Sequence, residues 1–327
     1  MYEIMRTRQL RRAFSAQGWA LLIYYGILYA VVNTFVCSEM LIRFTASILS
    51  GAAVDIMAII EAAMSNSGWG YMITILVGFG LLVLWKEPKF CFKTIWKPGK
   101  PMKLGSFLAI LAIFISAQLG AQLLYMGLEF LFNLFGASIS TSMEEASLST
   151  DALSMFLYVG LGAPISEEIL FRGLMLRSME PYGKKFAIFT SALMFGLYHC
   201  NIIQIPFAFM VGLVLGYVTV EYNIVWAIVL HMFNNLILSD TLTRLTADLP
   251  QPWNELWFWI LTVGAALIGG IILIVKHRKI KLWLKMNPDD RLCARAFWTA
   301  PGILVLVAIL LATTAFSLMS LLMVAPA

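Results

Sequence analysis

Glu167, Glu168, Arg172, His199, His231 and Asn235 are the residues of this chain whose types and spacing can do chemistry. The stretch GAPISEEILFRG, Gly162–Gly173, sets two carboxylates and a guanidinium inside an apolar run. Ionisable groups inside a membrane cost about 2.5–3.5 kcal/mol each on insertion scales, so they persist when paired or functional. On a helix, Glu168 and Arg172 are four residues apart and share a face, so they can form an ion pair. Glu167 is turned about 100° from Glu168. Arg172 therefore satisfies one carboxylate, and Glu167 is left needing another partner. Pro164, just upstream, removes a backbone donor. It is expected to kink the helix and open room for water beside Glu167.

Two of the three histidines lie in apolar runs, His199 in ALMFGLYHC and His231 in IVLHMFNNLIL. The third, His277, sits in the basic loop KHRKIK and is set aside. Asn235 follows His231 by one helical turn, so the two present a joint polar face. Phe195 stands in the same relation to His199 and is placed to wall off its imidazole. A lone intramembrane histidine is often a hydrogen-bond anchor between helices, and Glu168–Arg172 alone is structural glue. That reading is harder to sustain for Glu167, His199, His231 and Asn235 together. They come from three spans that hold few other strong polar groups.

A desolvated carboxylate can take a proton from water near neutral pH, and a neutral histidine can share the task. A second histidine and an asparagine can donate hydrogen bonds to a developing oxyanion. That combination suits hydrolysis of an amide. The alternative is a catalytic zinc (Zn2+) held by His199, His231 and a carboxylate, with one position open for water. HExxH spacing is absent, so the usual zinc-protease motif gives that alternative no support.

The elements that must position these groups are membrane spans. Of the 327 residues, 61% are hydrophobic and 13% charged, with a mean hydropathy of +0.84. A soluble domain has about 45–50% apolar and about 25% charged residues. The composition therefore implies an integral membrane protein, all-α and polytopic, with about eight to nine transmembrane helices. Spans are expected near 16–37, 68–85, 105–135, 151–175, 186–200, 205–220, 223–240, 253–275 and 298–325, the fifth to seventh being short enough that not all of them need cross fully. Lysine and arginine cluster in the N-terminus, in 86–103, in 177–185 and in 276–295. That asymmetry puts those segments and the N-terminus in the cytoplasm, most simply at the plasma membrane. The basic N-terminus precedes a run too long for a signal-peptide core, and reads as a first span that also targets the chain. Residues 38–67 contain Asp55 and read as a re-entrant or interfacial helical segment on the external face. The basic loops imply contact with membrane lipid, and no nucleic-acid partner is expected. The four cysteines form no CxxC pair, so no zinc finger or disulfide framework is read from them.

Depth gives a partial check on the site. At about 1.5 Å of rise per residue, Glu167 lies roughly 15 Å from Arg177 and His231 roughly 12 Å from Asn223, while His199 comes out roughly 21 Å from Lys185. The first two agree and the third is deeper.

The order EEILFR, FGLYH and HMFNN fits the pattern EExxxR, FxxxH, HxxxN. It resembles the CAAX-protease and bacteriocin-processing family (CPBP, also called Abi), which includes the Ras-converting CAAX prenyl endopeptidases. The resemblance covers about residues 150–240, so the chain divides into an N-terminal membrane region (1–149), this core (150–240) and C-terminal helices (241–327). What it implies is an intramembrane endopeptidase acting on a peptide or protein tail, prenylated in the CAAX enzymes. By similarity, Glu167 and His199 activate water, His231 and Asn235 form the oxyanion site, and Glu168, Arg172 and Phe195 shape it. The family carries both a metalloprotease label and a metal-free glutamate description. The metal-free description is adopted here, with no cofactor. Two rivals remain: a non-catalytic scaffold or immunity-type protein using the same cavity, and a proton-coupled transporter, which predicts internal repeats that the sequence lacks.

Overall fold

The computed structural model describes residues 2–51, 53–140, 142 and 150–324, with side chains from 5 to 319. Among the described residues every regular element is helical. Eight stretches are long and apolar enough to cross a membrane. In chain order the helices are α1 (Tyr2–Leu49), α2 (Ile56–Ser65), α3 (Gly68–Trp85), α4 (Leu104–Asn133), α5 (Leu153–Tyr182), α6 (Lys184–Tyr198), α7 (Gln204–Glu221), α8 (Ile224–Ala247), α9 (Trp253–Met286), α10 (Arg291–Trp298) and α11 (Pro301–Val324). Helices α2 and α3 together make one 30-residue span.

Two features differ from the sequence expectation. Residues 38–67 do not form one separate re-entrant segment. Nothing from Ser38 to Leu49 breaks a helix, so α1 runs on for 48 residues, about 72 Å at the α-helical rise against a hydrocarbon core of about 30 Å. The chain turns at Gly51, whose φ of 69° is open to glycine. Asp55 then caps α2, accepting from the Ala58 amide at 3.0 Å. Asp55 thus starts the second span and does not sit inside one. The other is the form of α6, the fifth expected span and one of the three short ones. It has 15 residues, about 22 Å, and packs against α7 as a hairpin.

The basic segments meet at one end of the bundle. Glu221, at the end of α7, holds Lys100 at 2.6 Å and Lys184 at 3.2 Å, and accepts from the Trp283 indole at 3.0 Å. The hydrogen bond to Glu221 raises the Lys100 ammonium above its ordinary pKa. Arg177 pairs with Glu180 at 2.8 Å and donates to the carbonyls of Lys97 and Thr219. Arg6 pairs with Asp290 at 2.8 Å. At the other end Arg244 joins Asp151 and Asp240, tying the entry of α5 to α8. This arrangement is the one the charge asymmetry requires.

Helices α5, α6 and α7 form the centre. Phe171, Met175, Phe195 and Leu215 are buried there. Gly18 and Gly302 bring the backbones of α1 and α11 into direct contact, and a Cβ at either position would overlap the opposite chain.

Candidate active site

The site is carried by two helices that depart from α-geometry where the polar residues fall. In α5, π turns over Tyr158–Gly162 and Ile169–Leu176 flank a short α-helical piece, Ala163–Glu168. In α8, the α-helical Ile224–Met232 gives way to a π segment, Phe233–Thr241. Such π segments are rare and concentrate at functional sites, because widening the turn re-aims side chains and frees backbone groups. Glu167 and Glu168 end the short piece of α5. His231 stands just before the π segment of α8, and Asn235 lies inside it.

Arg172 Nη1 donates to Glu168 Oε1 at 2.9 Å, with both side chains wholly buried. The i,i+4 pairing expected from sequence is therefore present. Arg172 Nη2 donates to the Gly212 carbonyl at 3.2 Å. The absence of a side chain at Gly212 lets α7 come this close, since an added Cβ would sit 3.2 Å from the guanidinium. Phe195 lies under Arg172, with Cζ 4.3 Å from the ring centroid. Its ring also meets His199 and His231 edge-on, at 4.9 and 5.7 Å between centroids. Phe195 thus walls both imidazoles, not His199 alone.

His231 reaches both carboxylates. Its Nδ1 lies 3.0 Å from Glu168 Oε1, and its Nε2 lies 3.7 Å from Glu167 Oε2. With Glu168 ionised against Arg172, Nδ1 carries the proton and donates it, and Nε2 is left facing Glu167. The two carboxylates are not equivalent. Glu168 is closed off by Arg172 and His231, while the Glu167 side chain is 24% exposed and reachable by water.

His199 follows the last residue of α6. Its Nδ1 bonds the Phe195 carbonyl at 2.8 Å. A carbonyl only accepts, so this nitrogen is protonated and Nε2 is the basic one. Among the described residues no hydrogen bond or ion pair joins His199 to Glu167. Phe195 meets His231, and His199 stands one turn further along α6, which explains its greater apparent depth. Cys200, next in the chain, has φ 51°, an uncommon conformation for a residue with a side chain. Asn201 then fixes the tip of the hairpin. It accepts from the amides of Ile203 and Gln204 and donates to the Ser142 carbonyl at 2.9 Å.

Asn235 is held by a relay. Gln118 Nε2, from α4, donates to Asn234 Oδ1 at 2.7 Å, and Asn234 Nδ2 donates to Asn235 Oδ1 at 3.1 Å. Asn235 Nδ2 in turn donates to the Val159 carbonyl at 2.8 Å. These contacts fix which end of the Asn235 amide is the nitrogen and leave its second N–H for a ligand. Gln118, Asn234 and Asn201 were not singled out from sequence. Each is a polar residue in an apolar stretch, which is the signal that marks them.

Among the described residues no group of three or more histidine, cysteine, aspartate or glutamate side chains is placed to hold a metal ion. As arranged, these residues do not fit the three-ligand catalytic zinc site.

Residues 149–237 match the family model described as Rce1-like, type II CAAX prenyl endopeptidase. The match ends within the π segment of α8 and leaves α1 to α4 and α9 to α11 outside it. No curated protein matches the chain, and no solved structure matches it.

Proposed function

We propose that the chain is a membrane endopeptidase of the CAAX-protease kind that hydrolyses a peptide bond by a metal-free mechanism with Glu167 as the general base, a reading supported by the match of residues 149–237 to the Rce1-like family model. The observation that carries this reading is the contrast between the two carboxylates. Glu168 is locked by Arg172 and His231, and Glu167 is the one open to water.

Water beside Glu167 gives its proton to the carboxylate as its oxygen forms a bond to the scissile carbonyl carbon. His199, whose unprotonated Nε2 makes no direct bond to Glu167, is the second base of this reading. The carbonyl oxygen becomes an oxyanion, met by the free N–H of Asn235 and by His231 Nε2–H, whose proton is the one taken from water, relayed through Glu167 at 3.7 Å and returned to it before the adduct collapses. Such donors act most strongly in a site closed to bulk water. When the tetrahedral adduct collapses, the C–N bond breaks and the proton held by Glu167 passes to the departing amine. Glu168 and Arg172 keep the His231 ring in place, and Phe195 packs both imidazoles.

The substrate in this reading is a peptide or the tail of a membrane-associated protein, prenylated as in the family's CAAX enzymes and drawn from the surrounding lipid. The protein lies in the plasma membrane with its N-terminus in the cytoplasm. The test is incubation of the purified protein with a prenylated CAAX peptide in ¹⁸O-labelled water. The expected result is two fragments, with label in the new carboxyl group. An intact peptide across a panel of prenylated and unprenylated substrates would contradict the proposal.

A further inference from the structure

The π turn that precedes Glu167 has one backbone bond that this sequence cannot make. The Tyr158 amide still bonds Ser154, four residues back, but at the end of the π turn the Ala163 N–H bonds the Tyr158 carbonyl, five residues back. In the same register the next bond would run from residue 164 to the Val159 carbonyl. Residue 164 is proline and has no N–H. The Ala163 amide, the α-helical partner of Val159, is already engaged with Tyr158. The Val159 carbonyl is therefore left without a helical partner in a partly buried segment, where a backbone acceptor favours one. Asn235 Nδ2 fills the vacancy at 2.8 Å.

We propose that Pro164 is a positioning residue: by withholding its N–H it frees the Val159 carbonyl to hold the Asn235 amide. The inference deepens the proposed function and rests on Asn235 as an oxyanion donor. An asparagine amide turns easily about its last torsion. Here Asn234 holds the oxygen end and Val159 the nitrogen end. With both anchors in place, one Nδ2 hydrogen is spent on Val159 and the other has a fixed direction. Without the Val159 anchor the nitrogen end has no acceptor and the amide swings.

A residue with an amide hydrogen at position 164 completes the ladder. Its N–H takes the Val159 carbonyl, and Asn235 loses its anchor although it is itself unchanged. The substitution leaves Glu167, His199 and His231 untouched. It exchanges the Asn235–Val159 hydrogen bond for a backbone one, so the count of bonds in the fold is unchanged.

The experiment is a double-mutant cycle between Pro164→Ala and Asn235→Ala, reading kcat, KM and thermal midpoint, with Glu167→Gln beside it. Asn235→Ala is expected to lower kcat by about 10²-fold with KM little changed, the usual loss for an oxyanion donor. Pro164→Ala is expected to lower kcat by up to about 10²-fold, the cost of misplacing a group by about 1 Å. Its thermal midpoint stays level or rises. In the Asn235→Ala background Pro164→Ala then has no further effect, because the group it displaces is gone. Wild-type kcat in Pro164→Ala beside an impaired Asn235→Ala overturns the inference and leaves the proposed function standing. Additive losses overturn it as well, and so does a Pro164→Ala protein that fails to fold. Full activity in Asn235→Ala or Glu167→Gln counts against the proposed function itself.

Discussion

His231 Nδ1 lies 3.0 Å from Glu168 Oε1, the same oxygen that accepts Arg172 Nη1 at 2.9 Å. One buried carboxylate oxygen therefore joins α5 to α8 and neutralises a buried guanidinium. Glu168 is the structural member of the carboxylate pair, and its removal breaks two contacts at once.

The first prediction follows from that sharing. Glu168→Gln leaves Arg172 buried without a counter-charge, and Arg172→Ala does the same to Glu168. Breaking a buried pair on one side typically costs about 3–5 kcal/mol. Both variants should show lower abundance and a lower thermal midpoint. The double variant should lose less than the sum, because it leaves no lone charge. Strict additivity in unfolding measurements would show that the pair is not coupled.

The relay into Asn235 yields the second prediction. Gln118 sits in α4, outside the matched segment, and orients Asn234. Gln118→Leu removes one neutral hydrogen bond, worth about 0.5–1.5 kcal/mol. It should lower kcat by up to about tenfold, with KM unchanged. A change confined to KM would move Gln118 from positioning Asn235 to binding substrate.

Metal content gives the third. The purified protein should carry no stoichiometric zinc and should keep its turnover in a strong chelator. His231→Gln retains an amide donor near the same place and should keep measurable activity. A tightly held zinc, lost together with activity in both His199→Gln and His231→Gln, would refute the metal-free mechanism.

Topology gives the fourth. Lys97, Arg177, Lys184, Glu221 and Asp290 gather at one end of the bundle. Single cysteines in a cysteine-free background should be unreactive to an impermeant reagent from outside at positions 97 and 281. Position 248 should react. Labelling of position 97 in intact cells would place this end outside and reverse the orientation.

Much of this architecture was legible in the sequence, for a physical reason. Long apolar runs and one-sided lysine and arginine report solvent and membrane directly, so most spans and the meeting of the basic segments follow from composition. Glu168–Arg172 followed from helical periodicity alone. What the sequence hid depends on departures from that periodicity. His231 was assigned to the oxyanion from its neighbour Asn235, yet its Nδ1 turns to Glu168, a contact between helices that no local pattern encodes. The π register that frees Val159 appears only when the ladder is drawn. The extension of α1 to Leu49 was masked by the charge of Asp55, which reads as a span interruption and is in fact a helix cap. The shortness of α6 was visible in its 15 apolar residues, but its pairing with α7 as a hairpin is a contact that length alone does not encode.

The most direct test of the central claim compares Glu167→Gln with Glu168→Gln in the same cleavage assay, with thermal unfolding recorded for each. If Glu167 is the base, Glu167→Gln folds as stably as wild type and has no detectable turnover, while Glu168→Gln is destabilised. A Glu167→Gln protein that still cleaves, beside a stable and inactive Glu168→Gln, would contradict the account and exchange the two roles.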